Sequence, residues 1–256
     1  MATIRERIMH LQTFLKLKPD GVIGPDTLTA LELRVLPPQT PTGTHLQVSR
    51  KGIRQLVEFE ISSEAFYRKF LQTPTWPGGA SGVTIGIGFD LGYCTAAEFT
   101  KAWADKLGDS SLQRLLQVTR LKGEPARSAL ASVKDIKVPL AVAEEVFNLI
   151  TLPKYAQDTA SIYPGINLLF ADAQAALLSL VYNRGTRLSG SHRAEMKAIQ
   201  PLVSAQDYEG IAAQIQKMKR LWIGKGLDGL LKRRDAEAQL CLEATRVYLP
   251  DELIHL

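Results

Sequence analysis

The sequence predicts an α+β fold, mostly helical with one small β-sheet, preceded by a small helical unit. Three observations carry that prediction. Residues 81–93, "SGVTIGIGFDLGY", form the single clear extended stretch, with Val83, Ile85, Ile87, Phe89 and Leu91 alternating against Thr84, Gly86, Gly88, Asp90 and Gly92. Long helical patterns follow it, among them "EEVFNLITLPKYA", "ADAQAALLSLVYNRG" and "GLLKRRDAEAQLCLEATRVY". A Pro- and Thr-rich segment, residues 37–50, separates a short N-terminal pattern from the rest and reads as a linker.

Taken in order, residues 1–36 give two short helices around a turn. Ile4, Ile8, Leu11, Leu15 and Leu17 follow roughly helical spacing. "KPDGVIGPDTLTALEL" then supplies the turn and a second helix that Asp26 or Thr27 can cap. The main unit, residues 51–256, opens with "GIRQLVEFEISSEAFYRKFLQ". There Ile53, Leu56, Val57, Ile61 and Tyr67 set an inward stripe that includes Glu60, while Glu58 points away and Glu64 can pair with Arg68. Residues 173–182 are apolar nearly all round, the pattern of a buried central helix, and Gly185 stands where its C-terminus would fall.

Composition excludes several classes. The chain has 256 residues with a formal charge of +5, and no apolar run reaches the ~20 residues that span a bilayer. The N-terminus mixes charges into its apolar pattern, unlike a signal peptide, so synthesis in the cytoplasm and action in the cell wall or periplasm after release or delivery are expected. Two cysteines, Cys94 and Cys241, make no disulfide framework, and four scattered histidines show no metal-ligand spacing. No cofactor and no metal are expected. A Cys94–His192 thiol hydrolase stays open on paper, with nothing local to support it. The basic balance suits an anionic partner, but it lacks the aromatic–basic interleaving of nucleic-acid binders.

The glycine face of residues 81–93 raises a chemical reading. Gly86 and Gly88 would leave a floor without side chains on which a bulky polymer could lie, flanked by Thr84 and Asp90. A straight strand would set those two ~20 Å apart, so the chain must bend at the glycines. Glu60, a carboxylate among apolar neighbours, has the setting of a general acid.

Two resemblances sharpen this. "LQTFLKLKPDGVIGPDTLTAL" resembles the peptidoglycan-binding domain of cell-wall hydrolases over about the first 35 residues, in a truncated form. Glu60, Tyr67 seven residues later, "TIGIG" at 84–88, "AALLSLVYNRG" and "GLLKRRDAEAQL" together resemble the phage-type lysozymes (endolysins) over about 200 residues. Many relatives carry the second carboxylate two residues after the tyrosine, where this chain has Lys69. Pesticin instead carries an aspartate six residues after the threonine, the place of Asp90, so the chain resembles a pesticin-like variant. The resemblance implies a lysozyme-like fold with an antiparallel sheet and a muramidase that cleaves the β-1,4 bond between N-acetylmuramic acid and N-acetylglucosamine. It implies Glu60 as acid, Asp90 and Thr84 on the water, and Gly86, Gly88, Asn183 and Trp222 toward substrate. Arg233 and Arg234 either neutralise the cleft carboxylates or form a solvated basic face. Peptidoglycan is the expected partner of a monomer that neither enters membranes nor binds nucleic acid, with release through a holin or restraint by an immunity protein. A lytic transglycosylase using Glu60 alone and a non-catalytic wall-binding protein are the alternatives.

Overall fold

A computed structural model describes residues 2–35, 45–244 and 248–256. The N-terminal unit holds α1 (Ile4–Phe14) and α2 (Pro25–Val35). Thr3 starts α1 with a capping box, its hydroxyl taking the Glu6 N–H while the Glu6 carboxylate takes the Thr3 N–H. The Asp-Gly-Val turn is organised by one buried side chain, Gln12. Its amide nitrogen reaches Asp20 Oδ1 at 2.7 Å, the Val22 carbonyl at 2.8 Å and Thr27 Oγ1 at 3.0 Å, and its oxygen takes the Gly21 N–H at 2.8 Å. The helix after the turn begins at Pro25, whose fixed φ suits a first turn. Asp26 and Thr27, expected as caps, therefore lie inside the helix, and Thr27 is engaged by Gln12.

The expected linker is only partly testable, because residues 36–44 lie outside the described residues. Its last part is not a linker. Gln47–Ser49 form β1, paired antiparallel with residues 253–255, and Arg50 begins α3 (Arg50–Ile61). Leu46 and Val48 are buried, and Ser49 caps α3 by accepting the Gly52 N–H. A three-residue strand whose partner lies some two hundred residues away has no local signature.

Beyond α3 come α4 (Glu64–Phe66), which runs into a π-helical turn at Tyr67–Leu71, and the hairpin of β2 (Thr84–Ile85) and β3 (Phe89–Asp90). Three short helices follow, α5 (Ala96–Trp103), α6 (Asp109–Leu116) and α7 (Glu124–Ala129). A continuous rod is then formed by α8 (Leu140–Val146), a second π turn (Phe147–Thr151) and α9 (Leu152–Ile162). Four helices, α10 (Ala171–Arg184), α11 (Ala194–Ser204), α12 (Tyr208–Lys217) and α13 (Asp228–Leu242), and β4 (Leu253–His255) complete the chain.

The centre is α10, buried from Ala171 to Val181 and closed by Gly185 at φ +70°, as its apolar sequence predicts. It packs on α3, α9, α13 and β1. The approach to α3 is close: a Cβ on Gly52 would fall 2.3 Å from Ala175 Cβ. Since α3 carries Glu60, this contact sets where that carboxylate stands relative to the helical body. Gly52→Ala should cost about 1–3 kcal/mol in urea unfolding, because the helices have to separate. An unchanged unfolding midpoint would show that the contact is slack.

Candidate active site

The extended stretch is not one strand. The chain doubles back through Gly86-Ile87-Gly88, with both glycines at positive φ (59° and 68°), so that Thr84 lies directly opposite Asp90. This is the bend that the strand-length argument requires, and it puts both side chains on one face of the hairpin. Ile85 is buried, and the Phe89 ring packs on Phe99 and Trp103. The Pro/Gly-rich insert closes alongside. Thr75 bridges Thr84 through two backbone hydrogen bonds of 2.8 and 2.9 Å, and Trp76 Nε1 donates to the Ser81 carbonyl.

Both glycines lie close to the protein's own atoms. A Cβ on Gly86 would lie 3.2 Å from both Ala143 and Trp103, so this buried glycine is not a substrate floor. At Gly88 a Cβ would lie 2.4 Å from Tyr182 Oη and 3.7 Å from Glu60 Oε2. Gly88 is exposed and borders the acid, with Tyr182 donating to the Ile87 carbonyl beside it at 3.0 Å.

Glu60, half-buried near the end of α3, is not simply a carboxylate among apolar groups. Its Oε1 accepts from Arg233 Nη1 at 2.6 Å. Arg233 also donates from Nε to Glu237 and from Nη2 to the carbonyl and hydroxyl of Ser179. Arg234 and the Ser179 hydroxyl reach the same Glu237 oxygen at 2.8 and 2.7 Å. Arg233, Arg234 and Glu237 are essentially inaccessible, which removes the reading of a solvated basic face. Burial pulls Arg233 down in proton affinity, but Glu237 and Glu60 outweigh it and hold the group above the usual arginine value. With Oε1 committed, Oε2 is the Glu60 oxygen turned toward Gly88. Glu58 is exposed, and Glu64 pairs with Arg68 on the surface.

Asp90 has backbone partners. Its Oδ1 accepts from Gly82 at 2.9 Å and Gly92 at 2.8 Å, while Oδ2 has only a longer contact of 3.2 Å to Gly82. Burial pushes its carboxyl above the usual range, against the opposing pull of the Gly92 and Gly82 hydrogen bonds and the Lys122 charge. Thr84 is half-buried, with its hydroxyl near the Gly82 carbonyl at 3.5 Å. Asn183 is exposed at the end of α10. Trp222 packs instead on two guanidiniums, Arg184 at 4.8 Å and Arg234 at 5.8 Å. Lys69 is exposed, over the Phe70 ring.

Sequence reasoning missed Ser179, Tyr182 and Glu237. One signal was present: Ser179 and Tyr182 stand three apart, a polar stripe on an otherwise apolar helix.

A helical body, a small antiparallel hairpin and a glutamate held at their junction by a buried arginine define a lysozyme-like α+β fold. Residues 140–237 match the phage lysozyme family, a class of cell-wall-lysing glycosidases. The matched segment spans the α8–α9 rod, α10 and the Arg233–Glu237 pair, and leaves Glu60 and the hairpin outside it. No curated protein matches the chain. No helix among the described residues is long and apolar enough to cross a membrane.

The raised proton affinity of Asp90 has a measurable consequence. Native Asp90 keeps its proton at pH values where the unfolded chain has lost it, so its contribution to stability falls as pH rises from about 4 through its native value. Asp90→Asn keeps an oxygen for both N–H groups and does not titrate. Thermal midpoints from about pH 3 to about pH 8 should therefore show wild type losing ground to the variant as pH rises. Parallel profiles would contradict the buried setting.

Proposed function

We propose that the chain is a muramidase, cleaving the β-1,4 bond between N-acetylmuramic acid and N-acetylglucosamine with Glu60 as general acid. The observation that carries this reading is the fixed division of labour in Glu60: Oε1 is held by Arg233, and Oε2 borders Gly88. A proton on Oε2 is placed for the glycosidic oxygen, while Arg233 divides its charge between Glu60 and Glu237. Asp90 has the same face of the hairpin as Thr84 and an oxygen with spare acceptor capacity. A carboxylate with raised proton affinity is a stronger base, so Asp90 Oδ2 activates the water and Thr84 helps hold it. One observation favours the glutamate-only transglycosylase instead, namely that Asp90 Oδ1 is already saturated by two backbone N–H groups.

Product ends separate the two. Glu60→Gln should lower turnover of purified sacculi by about 10²–10⁴-fold. Asp90→Asn should do the same while the hairpin stays folded, and wild-type products should carry reducing ends. An Asp90→Asn enzyme with near wild-type rate and 1,6-anhydro ends would replace the hydrolase with the transglycosylase. Activity in Glu60→Gln would refute both.

The N-terminal unit is read as a wall anchor. Its support is the Gln12-centred turn, which presents Val22 and Ile23 to solvent. Tethering raises the local substrate concentration without adding chemistry. Because β1 belongs to the second unit, a variant lacking residues 1–44, rather than one cut at Lys51, should keep hydrolysis of soluble fragments and sediment less with sacculi. Equal sedimentation would dismiss the anchor.

A further inference from the structure

Six of the seven tyrosines have a protein partner for the hydroxyl. Tyr67, Tyr93, Tyr163 and Tyr182 donate to backbone carbonyls, and Tyr208 and Tyr248 accept from backbone N–H groups. Tyr155 is the exception: among the described residues its hydroxyl has no hydrogen-bond partner. Its ring, by contrast, is firmly held. It lies 4.5 Å from the Tyr182 ring, with Lys154 Nζ 5.2 Å from its centroid.

The π turn explains how Tyr155 reaches that place. Phe147 and Tyr155 both contact Tyr182, with ring centroids at 5.9 and 4.5 Å. Eight residues of unbroken α-helix would leave them about 80° apart around the axis. The π turn Phe147–Thr151 absorbs one residue and brings them within about 20°. Tyr182 in turn reaches the Gly88 turn beside Glu60. Burial, and then the charges of Asp158, Glu60 and Asp90, raise the proton affinity of the Tyr155 phenol above its usual value.

We infer that the Tyr155 hydroxyl is a third polar group of the cleft, hydrogen-bonding the amino-sugar unit held between Glu60 and Asp90. A phenol whose ring is fixed by stacking has little freedom left to lose, so its one donor is available at low entropic cost. The acceptor it fits is a hydroxyl or acetamido oxygen of the glycan. This inference rests on the glycosidase reading, and its test is arranged so that the two fail separately.

Binding is measured with soluble, un-cross-linked peptidoglycan chains in a Glu60→Gln background, which separates affinity from turnover. Adding Tyr155→Phe keeps the ring stack and removes only the donor. It should weaken binding about tenfold, and in the otherwise wild-type enzyme it should lower kcat/KM by a similar factor with an unchanged thermal midpoint. In ring-labelled protein the Tyr155 resonances should shift on adding chains, while those of the core residue Tyr163 should not. Unchanged affinity, or still Tyr155 resonances, would overturn the inference. If Glu60→Gln itself retains turnover, the glycosidase reading fails first.

Discussion

The structure depends on one buried cation. Arg233 sits on α13, yet it holds Glu60 at the end of α3, Glu237 on its own helix and Ser179 on α10. Taking a guanidinium out of water costs several kcal/mol, and the cost is met only if nearly all of its donors are used with good geometry. Here three of its nitrogens have acceptors. Removing the guanidinium would leave Glu60 without its cation and Glu237 with Arg234 alone, and breaking a buried pair in this way costs about 3–5 kcal/mol. The acid is therefore oriented by the helical body as much as by its own helix. The Gly52–Ala175 contact supplies the matching constraint on the backbone, since α3 can rest at this depth only where it has no Cβ.

Beside Glu60, the hairpin loop is closed by backbone hydrogen bonds to Asp90. Asp90 gathers the N–H groups of Gly82 and Gly92, and Cβ atoms at those glycines would strike backbone at 2.2 and 2.7 Å. A carboxylate in this position closes the loop and faces the same side as Thr84. The two duties use different oxygens: Oδ1 takes both short hydrogen bonds and Oδ2 takes the long one. The same economy appears at Glu60, where one oxygen is structural and the other faces the Gly88 turn.

Much of this was legible in the sequence, and what was not shares a physical cause. The burial of α10, the bend at the glycines and the Glu64–Arg68 pair all follow from periodicity, turn chemistry and i,i+4 spacing. Sequence left Arg233 and Arg234 open between neutralising carboxylates and forming a solvated face because the Arg233 partners Glu60 and Ser179 lie 173 and 54 positions away. Gly86 looked like a substrate floor because alternation treats the strand as straight, whereas the turn directs that glycine at Trp103. β1 was hidden in a Pro/Thr-rich stretch for a similar reason, its partner being β4. Tyr155 could not be singled out because its position on the rod depends on a residue absorbed in the π turn, and helical periodicity assumes none.

The boundary of the family match gains meaning from these constraints. Residues 140–237 contain the rod, the buried helix and the arginine–glutamate pair, each of which is fixed by packing on several sides at once. The hairpin and its insert are tied to themselves by Thr75–Thr84, Trp76–Ser81 and Asp90–Gly82, and to the body by Tyr182 on the Ile87 carbonyl and by Phe89 on Phe99 and Trp103. Lys69 is exposed over Phe70, whereas Asp90 is seated on backbone N–H groups opposite Thr84. The body thus fixes the Glu60 carboxylate, and the hairpin carries Asp90 and Thr84 on a turn that the body meets at Ile87 and Phe89.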